Sequence, residues 1–295
     1  MARLRRRRPA LGNRGLRIAT QTIRRPHSVT AFISRIVVAV AALPVVLGLV
    51  WLGGWWLFGL VAVAALVALH EFYGMARPLR PLVAAGYAAG ILALAGARAG
   101  GLDWMLAGFL AVFLLAFVLN AVAETRAPAT VAISATVLGV AWVGFGLGHL
   151  ILLRDIPRHA QLVCFVVLLA VFAADTIAYF VGRLIGRHKL APVLSPGKTW
   201  EGFVAGSAAA VFVTFVGLYQ DRMHFIVVWQ AVVLGIVIAL SAAIGDLFES
   251  ALKRDMQVKD TGRLLAGHGG VLDRIDSLLF AIPAAYYLVA GFGYA

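Results

Sequence analysis

The sequence predicts an all-α polytopic membrane protein with about nine transmembrane helices. Of its 295 residues, 62% are hydrophobic and only 13% are charged, and the mean hydropathy is +0.93. That leaves too little polar surface for a water-soluble globule. The apolar residues gather into runs of at least about 17, enough for a helix to cross a roughly 30 Å hydrocarbon core. The charges fall mainly between those runs and sum to +13.

In chain order, residues 1–35 form a basic tail containing Arg3, Arg5, Arg6, Arg7 and Arg8, with no acid before Glu71. A transit peptide or a nucleic-acid arm is one reading of such a tail. A disordered topogenic segment lying against anionic lipid suits so apolar a chain better, and no nucleic-acid partner is expected. Apolar spans follow at 36–52, 55–75, 82–97, 104–122, 129–152, 161–182, 202–219, 225–245 and 274–292. Only Gly53-Gly54 parts the first two. A single helix over 36–75 would be about 60 Å long, twice the hydrocarbon thickness, so a tight hairpin is predicted there.

Orientation follows from the basic residues, which favour cytoplasmic loops. With nine spans and the N-terminus inside, 22 of the 26 Lys and Arg residues fall on one side, and Arg98, Arg154, Arg158 and Arg222 on the other. Merging the first hairpin into one span would reverse every later loop. The single cysteine, Cys164, lies in an apolar run, which excludes an internal disulfide and points away from thiolate metal chemistry.

The chain divides by the placement of its acids. Residues 36–160 hold only Glu71, Asp103, Glu124 and Asp155, near span ends or in loops, and read as a five-helix scaffold. Residues 161–295 hold the other nine of the 13 acids and read as a four-helix catalytic region with cytoplasmic loops. No repeat period is apparent.

Three polar islands carry the chemistry. Asp175 lies inside the sixth span, where a carboxylate is costly and marks a functional site by default. Tyr179 and Arg183 follow at four-residue steps on the same face, so Arg183 can partly neutralise it; a buried structural ion pair is the alternative. Next, Ser195-Pro196-Gly197-Lys198-Thr199 supplies hydroxyls, a cation and backbone amides ahead of the seventh span, a pattern able to grip phosphate. Gly-Lys-Thr alone is a weak signal, since the full P-loop spacing is missing and no strand is predicted before it; an ordinary positive loop is the competing reading.

The third island runs from Asp246 to Asp276. Asp246, Glu249, Ser250, Lys253 and Arg254 sit at helical spacings, with acids placed to ligate a cation and bases to address phosphate. Gly267-His268-Gly269-Gly270 lets backbone approach a ligand closely, and Asp273 and Asp276 share one face of the last span. A lone histidine is commonly structural; between glycines and beside acids, His268 reads as a phosphate donor or general acid. Oxygen donors with few histidines suit Mg²⁺ rather than zinc.

These residues resemble the phosphatidate cytidylyltransferases, also called CDP-diacylglycerol synthases. Ser250, Lys253, Arg254, Lys259, Asp260, Gly262, Leu265, His268, Gly269, Gly270, Asp273, Arg274 and Asp276 match the family signature at its spacing, with Ala266 where the family usually has proline. The likeness extends upstream through Asp175-x-x-Ala-Tyr-x-x-Gly-Arg183, the Ser195–Gly202 run and Gly245-Asp246-Leu-x-Glu-Ser250. The N-terminal spans agree only in hydropathy and in Glu71-Phe-Tyr.

The resemblance implies transfer of the cytidylyl group of CTP to phosphatidate, giving CDP-diacylglycerol and pyrophosphate. It implies Asp246 and Asp273 as ligands of Mg²⁺, with a second cation, K⁺ being one candidate. Catalytic roles would fall to Asp246, Asp273, His268 and Lys198. Ser195, Pro196, Lys198, Thr199, Lys259, His268, Gly269, Gly270 and Arg274 would bind substrate, and Asp175, Asp260 and Asp276 would support them. It further implies a homodimer. Lacking a convincing cleavable targeting signal, the chain is expected in the cell inner membrane, with its site facing the cytoplasm. Competing readings are a related CTP-dependent enzyme acting on a polyprenol or ether-lipid acceptor, a secondary transporter, and an inactive scaffold.

Overall fold

The computed structural model describes residues 44–122, 128–218, 226–262 and 269–294, so the whole basic tail and His268 lie outside the described residues. Residues 44–52 are helical (α1) and end at Gly53, whose φ of +66° only glycine adopts readily. Arg154 seals the break by donating from Nε to the Val50 carbonyl at 3.1 Å and from Nη2 to the Trp51 carbonyl at 3.0 Å. Those are C-terminal carbonyls that the helix cannot satisfy internally.

α2 (Gly54–Met75) and α3 (Val83–Val122) follow, and α3 is folded in two at Gly100 and Gly101, which leave helical geometry (φ −150° and +74°). Its two arms lie against each other so closely that a side chain at Gly96 or Gly108 would strike the backbone at Trp104 or Leu92. α4 (Ala129–Gly139) passes through a π-helical turn, Val140–Gly144, into α5 (Phe145–Arg154). α6 (Ala160–Ile185), α7 (Trp200–Leu218), α8 (Val228–Asp255) and α9 (Leu272–Gly291) complete the helices.

Six helices among the described residues are long and apolar enough to cross a bilayer, where the sequence predicts nine spans. The difference has physical sources. The first span begins outside the described residues, and the two arms of Val83–Val122, folded back on each other at Gly100 and Gly101, together make one of the six although they match the separate predicted spans 82–97 and 104–122. α9 has its hydropathy lowered by Asp273, Arg274 and Asp276 in its first turns. Multi-pass, all-helical architecture stands.

No strand is predicted from the sequence, yet β1 (Lys189–Ala191) and β2 (Ser195–Thr199) pair antiparallel between α6 and α7, with Lys189 opposite Thr199 and Ala191 opposite Ser195. Pro192 helps turn the chain. At the hairpin's foot, Glu201 in the first turn of α7 accepts from the His188 backbone N–H at 3.2 Å and meets His188 Nδ1 at 2.6 Å.

Helix packing relies on small residues, as close-packed membrane helices do. Gly202 and Gly206 of α7 press on the backbone of α6 at Ala178 and Ala174, and Gly245 of α8 presses on α9 at Asp276. α6, α7, α8 and α9 thereby form a tight group whose ends converge at the hairpin and at the segment joining α8 to α9. At the other end of the molecule Arg98 faces Asp155 at 3.7 Å and stands over the Trp55 ring at 5.3 Å.

Candidate active site

A cavity of about 900 Å³ opens among α6, the hairpin, α7, α8 and α9. Part of its lining is apolar, from Phe172, Ala174 and Ala178 on α6, Phe203 on α7 and Ala239 and Ala242 on α8. The lining is also densely charged, with Asp175, Lys198, Asp246, Glu249, Lys253, Asp273, Arg274 and Asp276 all on it. Residues far apart in sequence are thus gathered where helix ends meet, as the helical spacings around Asp246 and Asp273 lead one to expect.

Two lysine-centred clusters organise that charge. Lys198, carried in by β2, places Nζ 2.7 Å from Asp246 Oδ2 and 3.5 Å from the Ala243 carbonyl. Asp246 Oδ1 accepts from the Ser250 hydroxyl at 3.4 Å, one helical turn along α8. Lys253, a further turn on, reaches Glu249 Oε2 at 2.8 Å and Asp273 Oδ1 at 2.9 Å. Glu249 is only 1% exposed, so Lys253 supplies charge that burial would otherwise leave unmatched.

Asp273 also binds the backbone that precedes it. Its Oδ2 accepts from Gly270 N–H at 2.6 Å and from Thr261 N–H at 3.2 Å. Both N–H groups belong to the segment between α8 and α9, so one carboxylate fixes the entry to α9. Gly269 has φ +80°, and a side chain there would meet Asp273 Oδ2, which accounts for the glycine twice over. Asp276, 8% exposed, accepts from Ser277 N–H at 2.8 Å and lies within electrostatic reach of Asp246, Asp175 and Glu249.

Several expected placements change. Arg183 does not serve Asp175: its Nη1 donates to the Tyr179 hydroxyl at 2.7 Å, and the charged neighbours of Asp175 are Asp246 and Lys198. One helix face is a poor guide here because a neighbouring helix brings charge closer than the next turn does. Thr199 is buried and receives Gly202 N–H on its hydroxyl at 3.2 Å, which spends part of the α7 N-terminus on an internal cap. Ser195 and Lys198 line the cavity, whereas Pro196 is exposed beside it. Lys259 and Asp260 are exposed and stand outside the lining, and Gly269 and Gly270 back Asp273 rather than line the cavity.

The residue that sequence reasoning undervalued is Glu71, assigned with its half of the chain to scaffold. It is 4% exposed on α2, and its Oε2 accepts from Leu272 N–H at 2.8 Å, at the start of α9. An acid in an apolar span was the available signal.

The donors fit Mg²⁺ in chemistry. Mg²⁺ is commonly held by one or two carboxylates with water and substrate phosphates rather than by an all-protein cage. Among the described residues no three His, Cys, Asp or Glu side chains converge into such a cage, while Asp246 and Asp273 offer hard oxygens to one cavity.

A phosphatidate cytidylyltransferase of Staphylococcus saprophyticus is 42% identical to this chain over 146 residues, which is 50% of this chain and 55% of that protein. Proteins of the same name from Staphylococcus epidermidis and Staphylococcus aureus are 41% and 40% identical over equal coverage. The chain thus spans about half the length of the curated relatives it matches. The model of the cytidylyltransferase family matches residues 33–292. That match takes in every helix that walls the charged cavity, and the chain belongs to the cytidylyltransferase family.

Proposed function

We propose that this protein transfers the cytidylyl group of CTP to phosphatidate, releasing CDP-diacylglycerol and pyrophosphate. The observation that carries the proposal is one cavity whose lining combines lysine–carboxylate clusters with apolar helix residues. A nucleotide arriving from water and a lipid whose acyl chains stay in the bilayer can meet in such a place. The names of the staphylococcal relatives support phosphatidate as the acceptor.

In the reaction, a non-bridging phosphate oxygen of phosphatidate bonds to the α-phosphorus of CTP. The bond from that phosphorus to the bridging oxygen of the β-phosphate breaks, and pyrophosphate leaves with the oxygen and its electron pair. No protein nucleophile is needed, so the task of the chain is positioning and charge neutralisation. Lys198 and Ser195 from β2 and Arg274 from α9 address phosphate oxygens. Lys253 holds Asp273 in place, and Asp175 and Asp276 add negative field behind the ligands. His268 is proposed as a further phosphate contact from the segment joining α8 to α9, whereas Lys259, exposed and outside the lining, is given no such contact.

Asp246 and Asp273 would hold Mg²⁺, with a second cation, K⁺ being one candidate. When bound, metal supplies charge that stabilises the transferring phosphoryl group and the departing pyrophosphate. We place the mouth of the cavity at the cytoplasmic face of the inner membrane. The support is that the hairpin and the α8–α9 segment belong to the side predicted to carry 22 of the 26 basic residues.

The test is Mg²⁺-dependent conversion of labelled CTP and phosphatidate to CDP-diacylglycerol by detergent-purified protein, wild type against Asp273→Asn. Wild type is expected to form product, EDTA to abolish it reversibly, and Asp273→Asn to lose nearly all of it. A folded wild type that forms none with phosphatidate would overturn the acceptor assignment.

A further inference from the structure

We propose that Glu71 is a positioning residue for this site, through which the N-terminal helices set the geometry of Asp273. The inference rests on the cytidylyl-transfer reading for its kinetic arm, and on the structure alone for its physical arm. Glu71 projects from the end of α2 opposite Gly54 and crosses to the start of α9, where its Oε2 accepts from Leu272 N–H at 2.8 Å. That N–H is among the first amides of α9, which have no partner within the helix. A carboxylate there also meets the positive end of the helix dipole.

The next residue is Asp273. Its two oxygens hold Gly270 N–H, Thr261 N–H and Lys253 Nζ, at 2.6, 3.2 and 2.9 Å. Glu71 therefore stands one residue behind the group assigned to metal, on the face away from the cavity. It is absent from the cavity lining, so it touches neither substrate nor the reacting atoms.

Two glycines of the signature are fitted to it. A β-carbon at Gly262 would meet the Glu71 side chain and nothing nearer, and one at Gly270 would meet Glu71 Oε2 and the Thr261 hydroxyl. The backbone on both sides of the α8–α9 segment is thus pressed against one buried carboxylate. Among the described residues Glu71 Oε1 has no hydrogen-bond partner, so the bond to Leu272 is the polar tie that holds the clamp. An α2 residue in this position makes the first half of the chain part of the catalytic geometry.

The experiment compares wild type, Glu71→Ala, Glu71→Gln, Gly262→Ala and the double variant Glu71→Ala/Gly262→Ala as full-length protein in detergent. Amide hydrogen exchange over 269–276, thermal unfolding, and kcat and KM for CTP are read for each. Glu71→Ala is expected to speed exchange in that segment and to lower kcat about 100-fold, the scale of a small misplacement of a catalytic group, with KM for CTP changed less than about threefold. Glu71→Gln, which keeps a carbonyl oxygen for Leu272 N–H, is expected to recover most of kcat. Gly262→Ala is expected to impair the wild type but to cost nothing more once Glu71 is gone.

Unchanged exchange in Glu71→Ala would overturn the clamp. So would losses that simply multiply in the double variant. A lower unfolding temperature with unchanged kcat would overturn the positioning role and leave a packing residue. If Glu71→Ala does not fold, Gly262→Ala answers the same question by displacing the carboxylate instead of removing it. Absence of product from wild type would sink the cytidylyl-transfer reading, and the kinetic role with it, while exchange still decides whether the clamp exists.

Discussion

Lys198 Nζ lies 2.7 Å from Asp246 Oδ2, so a residue of a short β-hairpin neutralises a carboxylate in the body of α8. The pair is partly shielded, with side-chain exposures of 23% and 35%. Removing the lysine leaves Asp246 facing Asp175 and Asp276 without its cation, and removes a positive group from the place where phosphate charge would gather. Lys198→Met is expected to reduce kcat/KM for CTP about 100-fold, the usual scale for losing one donor aimed at developing charge. Steady-state kinetics at saturating phosphatidate would check this, and a loss below about threefold would remove Lys198 from the site.

Gly269 tests the support beneath Asp273. With φ at +80° and the Asp273 carboxylate where a β-carbon would stand, Gly269→Ala combines backbone strain with a clash. A residue held so costs about 1–3 kcal/mol, and here Asp273 must also shift. Turnover is expected to fall together with the unfolding temperature. Gly291→Ala is the matched control, because a β-carbon there meets nothing within 4 Å; equal effects of the two substitutions would show that the site does not depend on this turn.

Arg98 provides the opposite expectation. Its pairing with Asp155 is loose, at 3.7 Å, and side-chain exposures are 30% and 42%. It neighbours Gly54, at the start of α2, about 25 Å along the helix from Glu71 at 1.5 Å per residue. Exposed pairs contribute about 0–1 kcal/mol. Arg98→Ala should leave kcat unchanged and lower the unfolding temperature slightly; a large kinetic defect would mean that the two ends of the helix bundle are coupled.

Much of this site was legible in the chain. Asp246 and Asp273 do meet one cavity, as their place at the ends of apolar spans predicts, and the break at Gly53 lies where bilayer thickness requires it. These readings succeed because hydropathy and helical spacing are local. A helix in lipid satisfies its backbone within its own segment, so its extent is written in consecutive residues. His268 lies outside the described residues, and its role rests on the sequence alone.

Partners across helices were not legible. Arg183 turns to Tyr179 while Asp175 answers to Asp246 and Lys198, and Lys253, unremarkable at helical spacing from Glu249, also binds Asp273 from a different helix. Ser195–Thr199 pairs as a strand because a second strand folds back onto it, a contact that no property of its five residues announces. By itself the sequence determined a multi-pass helical protein with nine of its 13 acids in the second half. Only the tertiary structure decided that Glu71, 201 residues before Leu272, closes the entry to α9, because that bond depends on how α2 packs against α9 and on two glycines that leave room for it.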